Sequence, residues 1–221
     1  GREAEMDQLR AFLSSDSRFA WWQIAGAGGQ GKSRLALQLI DGLGAEWHAG
    51  FMTQETLFAT DWRTAAFPKP TLCVIDYAAA PGKASEVIQA ISALAARGRG
   101  VDTPLENKVR ILVLERVGYS FADEKSDSGG SGMNWLRAAF DGGNTEIRVR
   151  ETAFCSAGQR VSSPLELDDL DDFGMRSILR SWLHYKSGQD NVDRALSDAQ
   201  ETGLLAKLRG PSDDPQQRRR N

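Results

Sequence analysis

Residues 26–33 contain the pattern that most limits what this chain can fold into. They read Gly-Ala-Gly-Gly-Gln-Gly-Lys-Ser and match G-x-x-x-x-G-K-S/T at every specified position. Glycine has no Cβ and adopts positive φ freely, so the backbone can wrap closely enough for successive N–H groups to face an anion. The pattern therefore predicts a phosphate-binding loop, called the P-loop below, between a buried strand and the start of a helix.

The segments on either side of the P-loop fit this prediction. Phe19–Ala25 is a short aromatic and apolar run that predicts a buried strand, with Trp21 and Trp22 as core residues. Ser33–Leu43 has apolar residues at helical spacing and is followed by Gly44 as a helix stop. The sequence thus supplies the strand, loop and helix in the order that phosphate binding requires.

Further segments extend this pattern into a sheet covered by helices. The predicted strands are 48–53, 71–76, 109–114 and, as an edge or final strand, 145–151; residues 83–97 are a predicted helix. Residues 119–131 predict a mobile loop, and residues 135–140 a short helix. Strands that alternate with helices of this length favour an α/β fold, a three-layer P-loop NTPase with a mostly parallel central sheet.

The residue types of the P-loop point to a magnesium–nucleotide ligand. Lys32 adds a charge for the β- and γ-phosphates, and the Ser33 hydroxyl can ligate Mg²⁺. Asp76 ends an apolar strand, at the edge where open α/β sheets bind ligands, and can hold the same metal as a Walker B aspartate. The remaining predicted nucleotide-binding residues of this segment are Gly26, Ala27, Gly28, Gly29, Gln30, Gly31 and Arg34.

Hydrolysis is less well specified by the sequence. Many P-loop ATPases place a second acid directly after the Walker B aspartate, and this chain has Tyr77 there. Glu115 and Arg116 follow the strand 109–114 and join Lys32 and Asp76 as candidate catalytic residues. Glu115 can polarise water or form a strand-end salt bridge, and Arg116 can stabilise phosphate charge. Residues 107–110 lack the aspartate of the guanine-binding Asn-Lys-x-Asp pattern, so ATP or ADP is the expected nucleotide.

Composition excludes several other classes of protein. The 221 residues are 41% apolar and 26% charged, with no apolar run long enough to span a bilayer. A net charge of −3 gives no general attraction for nucleic acid, and the one dense basic run is Arg218–Arg220. Two distant cysteines favour a reducing, cytoplasmic setting over a secreted one. The first residue is Gly1 rather than Met, so we expect part of a longer polypeptide.

The change of residue pattern along the chain predicts three parts. Residues 1–160 form the P-loop nucleotide-binding domain. Residues 161–210, in which apolar residues from Leu165 onwards take helical spacing, form a helical lid or the start of a helical subdomain. Residues 211–221 are a polar tail or linker.

Several segments together resemble the STAND class of signalling ATPases, in particular bacterial members related to NACHT and NB-ARC modules. They are Gly1-Arg2-Glu3 with Leu9, Phe12 and Leu13, the stretch from Gly28 to Ala36, the strand end Asp76-Tyr77-Ala78, and Arg116. The resemblance covers most of residues 1–185, and within it the P-loop is the one specific motif. It implies that Arg2 lies near the adenine, that Arg116 is a phosphate sensor, and that a helical lid follows the sheet.

The same resemblance implies a switch in which nucleotide state controls self-association through the NTPase module. Unknown sensor and effector domains of the parent chain would then supply input and output, in transcriptional control or antiviral defence. Two alternatives stay open. Tyr77 favours a nucleotide-binding interaction scaffold with weak catalysis, and Arg218–Arg220 would suit a DNA-handling ATPase, although nucleic acid is not the expected partner.

Overall fold

A computed structural model describes residues 2–101, 103–119 and 144–169. The chain divides into two compact units, and the larger one comprises Glu3–Asp168. The other comprises Gly1–Arg2 and Asp169–Asn221, of which only Arg2 and Asp169 lie within the described residues. The predicted mobile loop beyond Tyr119, the short helix at 135–140, the lid beyond Asp169 and the polar tail all fall outside the described part of the chain.

The larger unit is built on a parallel sheet of five strands in the order β2-β3-β4-β1-β5. The strands are β1 Phe19–Ala25, β2 His48–Phe51, β3 Thr71–Asp76, β4 Val109–Glu115 and β5 Leu165–Glu166. β4 pairs with β1 on one side and β3 on the other, so Ala25 is level with Glu115 and Asp76 with Leu114. The carboxyl ends of these three strands therefore meet at one edge of the sheet.

Helices cover both faces of the sheet. They are α1 Glu3–Ser14, α2 Lys32–Asp41, α3 Gln54–Ala59, α4 Lys83–Gly98 and α5 Asn144–Thr152. Trp21 lies in a core that includes Ile91 of α4 and Val149 of α5, whereas Trp22 lies in a second core with Phe12 of α1 and Leu39 of α2. Adjacent residues of a strand point to opposite faces, so the two tryptophans divide between the two layers. The predicted three-layer α/β architecture is confirmed.

Two segments differ from their predicted secondary structure. Residues 145–151, a predicted strand, form helix α5, in which Glu146 and Arg150 make an i,i+4 ion pair of 2.6 Å and Val149 is buried. Leu165, predicted to begin a helical region, instead lies in β5, which pairs with β1 at Ile24 and Ala25. Leu165 and Leu167 are both buried while Glu166 is exposed, which is the two-residue period of a strand. Over so few residues, apolar spacing fits the period of a helix as well as that of a strand. The edge of β1 is open for hydrogen bonding, which favours a strand here.

The end of α2 also differs from its predicted position. The helix stops at Asp41 and is capped by Gly42 in a right-handed conformation, so Gly44 is not its cap. None of the helices in the described part of the chain combines the length and the apolar character that crossing a bilayer requires.

The two cysteines are expected to react with thiol reagents at very different rates. Cys73 is buried in β3, which raises the pKa of its thiol to about 12, whereas Cys155 is exposed. At pH 8 an aromatic disulfide reagent should modify Cys155 quickly and Cys73 at least about a hundredfold more slowly, because the thiolate is the nucleophile. Counting modified thiols before and after denaturation checks this, with Cys155→Ser as the control. Rapid modification of both thiols in the folded protein would contradict the burial of Cys73.

The same pKa shift sets the sign of a stability effect. Because the folded-state pKa of Cys73 is raised, its contribution to stability is complete at neutral pH and is lost as the pH rises from about 8.5 towards 12.

Candidate functional site

The P-loop leaves β1 and enters α2 with the backbone geometry that its glycines allow. Gly29 and Gly31 both have φ of 88°, in the left-handed region, where a residue with a Cβ is strained. Gly31 is the N-cap of α2 and carries no side chain that could cap the helix. The first N–H groups of α2 therefore face outward at the positive end of the helix dipole, which is a favourable place for an anion.

Lys32 is held at the first residues of the loop. Its Nζ atom donates hydrogen bonds to the carbonyl oxygens of Gly26 at 2.6 Å and Ala27 at 2.9 Å. Gly26 is itself fixed, because its N–H donates to the carbonyl of Glu115 at 3.2 Å. These contacts place the ammonium across the loop, where it can bind phosphate as a point charge.

Ser33 and Asp76 meet across the cleft. The Ser33 hydroxyl donates to Oδ2 of Asp76 at 3.0 Å, and Oδ1 of Asp76 accepts from the N–H of Tyr77 at 3.0 Å. The two residues are 43 positions apart in sequence, and the order of β1, β4 and β3 brings them together. A hydroxyl and one carboxylate are hard oxygen donors that suit Mg²⁺, which takes one or two protein ligands and fills its other positions with water and phosphate. The described residues contain no cluster of three or more His, Cys, Asp or Glu that could hold a metal without a nucleotide.

Glu115 and Arg116 lie between the P-loop and Asp76, as the central position of β4 dictates. Glu115 is buried; its Oε1 accepts from the N–H of Ala79 at 2.6 Å and its Oε2 from the N–H of Arg116 at 3.0 Å. Both carboxylate oxygens are thus bound to backbone amides, and the salt bridge that the sequence left open for Glu115 is not formed among the described residues. Arg116 is exposed.

We expect Glu115→Gln to destabilise the fold by about 2 kcal/mol, because an amide NH₂ would replace one acceptor oxygen of this buried side chain and face a backbone N–H donor. Urea unfolding measures the difference, with Glu46→Gln as the control because Glu46 is exposed. Equal stability of the two variants would show that the amide contacts of Glu115 contribute nothing.

The cleft enclosed by these residues has a volume of about 220 Å³. The predicted site residues that line it are Gly28, Gly29, Gly31, Lys32, Ser33, Arg34, Asp76, Glu115 and Arg116, and Leu114 and Tyr77 join them. Pockets that enclose a whole small ligand measure roughly 300–1,000 Å³. The described cleft is therefore smaller than a pocket for a whole ligand, and three cationic side chains in it lie near two carboxylates.

The other predicted residues are not at the cleft wall. Gly26, Ala27 and Gln30 lie in the P-loop, where the Gln30 N–H donates to the Ala27 carbonyl at 3.4 Å. A Cβ at Gly26 would lie 3.1 Å from the carbonyl oxygen of Leu167, so glycine permits this close approach. Arg2 belongs to the smaller unit, and its contact with adenine stays a prediction.

Sequence reasoning missed Lys83. Its Nζ atom donates to the carbonyl oxygen of Asp76 at 2.5 Å, from the first residue of α4. The available signal was a lysine directly after Pro81-Gly82, at the predicted start of a helix and seven residues beyond the Walker B aspartate. The Pro-Gly pair before Lys83 predicts where the chain turns, but it does not predict which carbonyl oxygen accepts a hydrogen bond from the Lys83 ammonium.

Two features identify the fold. A glycine-rich loop connects β1 to α2, and Asp76 ends a strand that β4 separates from β1. The chain has an α/β P-loop NTPase fold. No family model matches the chain, and no curated protein matches it.

Solved structures give similarities of fold at low identity. Cdc6p from Pyrobaculum aerophilum is 13% identical, with a TM-score of 0.43 over 80% of this chain and 48% of that one. RuvB from Thermotoga maritima is 15% identical, with a TM-score of 0.45 over 84% and 52%. Drosophila ORC, solved bound to DNA, is 13% identical, with a TM-score of 0.43 over 92% and 54%. The chain spans about half the length of these proteins. None of this supports the expectation that nucleic acid is not a partner.

Proposed function

We propose that the chain is the ATP- and magnesium-binding module of a STAND-type signalling switch, in which slow hydrolysis is coupled to self-association. The observation that carries the nucleotide part is the hydrogen bond between Ser33 and Asp76, 3.0 Å long, directly beside Lys32 and the amides of the P-loop. This contact brings together the hydroxyl and the carboxylate that we propose as protein ligands of Mg²⁺ in a magnesium–triphosphate complex.

Each side chain has a role in this proposal. Lys32 and Arg34 bind phosphate oxygens, and Arg116 senses the terminal phosphate from the end of β4. Ser33 and Asp76 would hold the metal, which would neutralise part of the phosphate charge when bound. The module lies in the cytoplasm, within a longer chain that carries sensor and effector domains.

The surroundings of Glu115 support slow hydrolysis. Tyr77 occupies the position of the usual second acid, and both oxygens of Glu115 accept hydrogen bonds from backbone amides. A carboxylate so bound is poorly placed to take a proton from water. A long-lived nucleotide state suits a switch, because the bound nucleotide then biases one conformation for longer.

Calorimetry with Mg-ATP, Mg-ADP and Mg-GTP tests nucleotide binding, and light scattering of the full-length parent chain with and without ATP tests the switch. We expect adenine nucleotides to bind more tightly than GTP, and ATP to change the assembly state. Binding without any change in assembly or conformation would refute the switch and leave a nucleotide-binding module.

The alternative of a scaffold with weak catalysis is favoured by the same surroundings of Glu115. Measurable ATP hydrolysis that is lost in Lys32→Ala would exclude it. DNA binding that weakens steeply with salt would instead favour a DNA-handling ATPase.

A further inference from the structure

The turn that follows β3 contains a strained residue. Tyr77 has a φ of 55° and is the one non-glycine residue with positive φ in the described part of the chain. A bulky side chain is rarely found in this conformation, which is strained and persists only where the surroundings determine it. Tyr77 is 59% exposed and lines the cleft, so packing of its ring does not hold the turn.

Hydrogen bonds to the neighbouring atoms hold it instead. The N–H of Tyr77 donates to the carbonyl of Leu114 at 3.1 Å, and the N–H of Ala79 donates to Glu115 at 2.6 Å. On the other side, the ammonium of Lys83 donates to the carbonyl of Asp76 at 2.5 Å. The peptide between Asp76 and Tyr77 is therefore bound at both its oxygen and its nitrogen.

The position of Lys83 is unfavourable by itself. It is the first residue of α4, where the helix dipole disfavours a cation, and it is only 8% exposed. A buried ammonium needs compensation by acceptors, and the acceptor here is the carbonyl of Asp76. The helix dipole and burial both disfavour a cation at this position, so we assign the contribution of Lys83 to its hydrogen bond with the turn.

The turn also sets the orientation of the Asp76 carboxylate. Oδ1 accepts from the Tyr77 N–H, and this leaves Oδ2 directed to the Ser33 hydroxyl. If the peptide between Asp76 and Tyr77 rotated to relieve the strain, the Tyr77 N–H would leave Oδ1 and the carboxylate would lose its fixed direction. The orientation of the predicted metal ligand Asp76 thus depends on the strained conformation of the turn.

We propose that Lys83 is a positioning residue, which holds the strained turn at Tyr77 and so fixes the Asp76 carboxylate for a magnesium–nucleotide complex. This inference rests on the proposed binding of Mg-ATP. Lys83 does not line the cleft, so in this proposal it acts through the Asp76 carbonyl.

The test measures the magnesium gain, defined as the ratio of ATP affinity in excess Mg²⁺ to ATP affinity in EDTA, by calorimetry. Lys83→Met keeps the length of the side chain but removes the donor. We expect it to lower the magnesium gain about tenfold, because a tenfold change in affinity corresponds to the free-energy cost of one strained backbone conformation. The affinity in EDTA should stay unchanged. Lys108→Met is the matched control, because Lys108 also donates to a carbonyl, that of Ser14 at 2.9 Å, away from the cleft.

A second substitution separates positioning from a general structural role. Glycine adopts positive φ without strain, so Lys83→Met combined with Tyr77→Gly should recover most of the magnesium gain. A merely structural role of Lys83 would not be rescued by a change at an exposed residue. If Lys83→Met alone does not fold, Tyr77→Gly is compared with the double variant, and equal gains support the proposal.

The outcomes are distinct. An unchanged magnesium gain in Lys83→Met, or a double variant that stays low or unfolded, overturns the positioning role while leaving Mg-ATP binding intact. Failure of the unsubstituted chain to bind ATP, or to bind it more tightly with Mg²⁺, would instead refute the proposed function.

Discussion

Arg110→Met is expected to lower the free energy of unfolding by about 3 kcal/mol, because a buried polar group that loses its hydrogen-bond partner costs about 1–3 kcal/mol and Arg110 serves several carbonyl groups. Arg110 lies in β4 and is fully buried. Burial lowers the pKa of its guanidinium to about 10, which leaves it charged at neutral pH. Methionine fills similar space but donates no hydrogen bond, so the loss is one of polar contacts rather than of volume.

The contacts of Arg110 explain the size of this effect. Its guanidinium donates to the carbonyl of Phe12 at 3.1 Å, near the end of α1, and to the carbonyls of Ser15 at 2.7 Å and Ser17 at 2.9 Å. A cation at the C-terminus of a helix also interacts favourably with the dipole. Removing it would leave several carbonyl groups between α1 and β1 without their donor.

Urea unfolding at neutral pH measures the loss, and Arg10→Met is the control. Arg10 pairs with Asp7 on the surface, with 68% of its side chain exposed, and such pairs contribute about 0–1 kcal/mol. If the two variants unfold at the same urea concentration, Arg110 does not hold α1 against the sheet.

The second large effect is expected at Lys32. Lys32→Ala should weaken Mg-ATP binding at least about a hundredfold, since hydrogen bonds from a charged donor to phosphate are among the stronger ones, at roughly 1.5–3 kcal/mol each. The same variant removes the ammonium that donates to the carbonyls of Gly26 and Ala27, so the loop would also lose part of its fixed shape.

Calorimetry with Mg-ATP measures the affinity, and circular dichroism confirms the fold of each variant. Lys69→Ala is the matched control, because Lys69 donates to the carbonyl of Ala45 at 2.9 Å on the surface and does not line the cleft. An affinity of Lys32→Ala within threefold of the control's would mean that the ligand does not reach this ammonium.

The sequence predicted the strands that lie inside the sheet because their burial leaves a direct trace. Every residue of β1 and β4 is buried, and a strand covered on both faces has a nearly continuous apolar sequence, which in these strands is interrupted by Gln23, Arg110 and Glu115. The P-loop could also be predicted from the sequence, because each of its specified positions requires a particular residue type, such as glycine or lysine. These features are properties of a few neighbouring residues.

What the sequence did not reveal depends on residues that meet only after folding. Segment 145–151 forms a helix in which Val149 packs into a core that includes residues of α4. Leu165 lies in a strand because the edge of β1 is open for pairing. The two amides that bind Glu115 and the carbonyl that binds Lys83 come from the turns after β3 and β4. No local spacing specifies which backbone atoms those turns present.

The placement of β4 has a consequence for how a ligand would affect the whole molecule. β4 is hydrogen-bonded along its length to both β1 and β3, so a ligand anchored at Lys32 and Asp76 bridges the three most buried strands. Whatever binds there opposes their separation, and by mass action it raises the melting temperature of the whole domain rather than of the loops alone. Occupancy of the cleft would therefore also govern how long the protein survives heat and proteolysis.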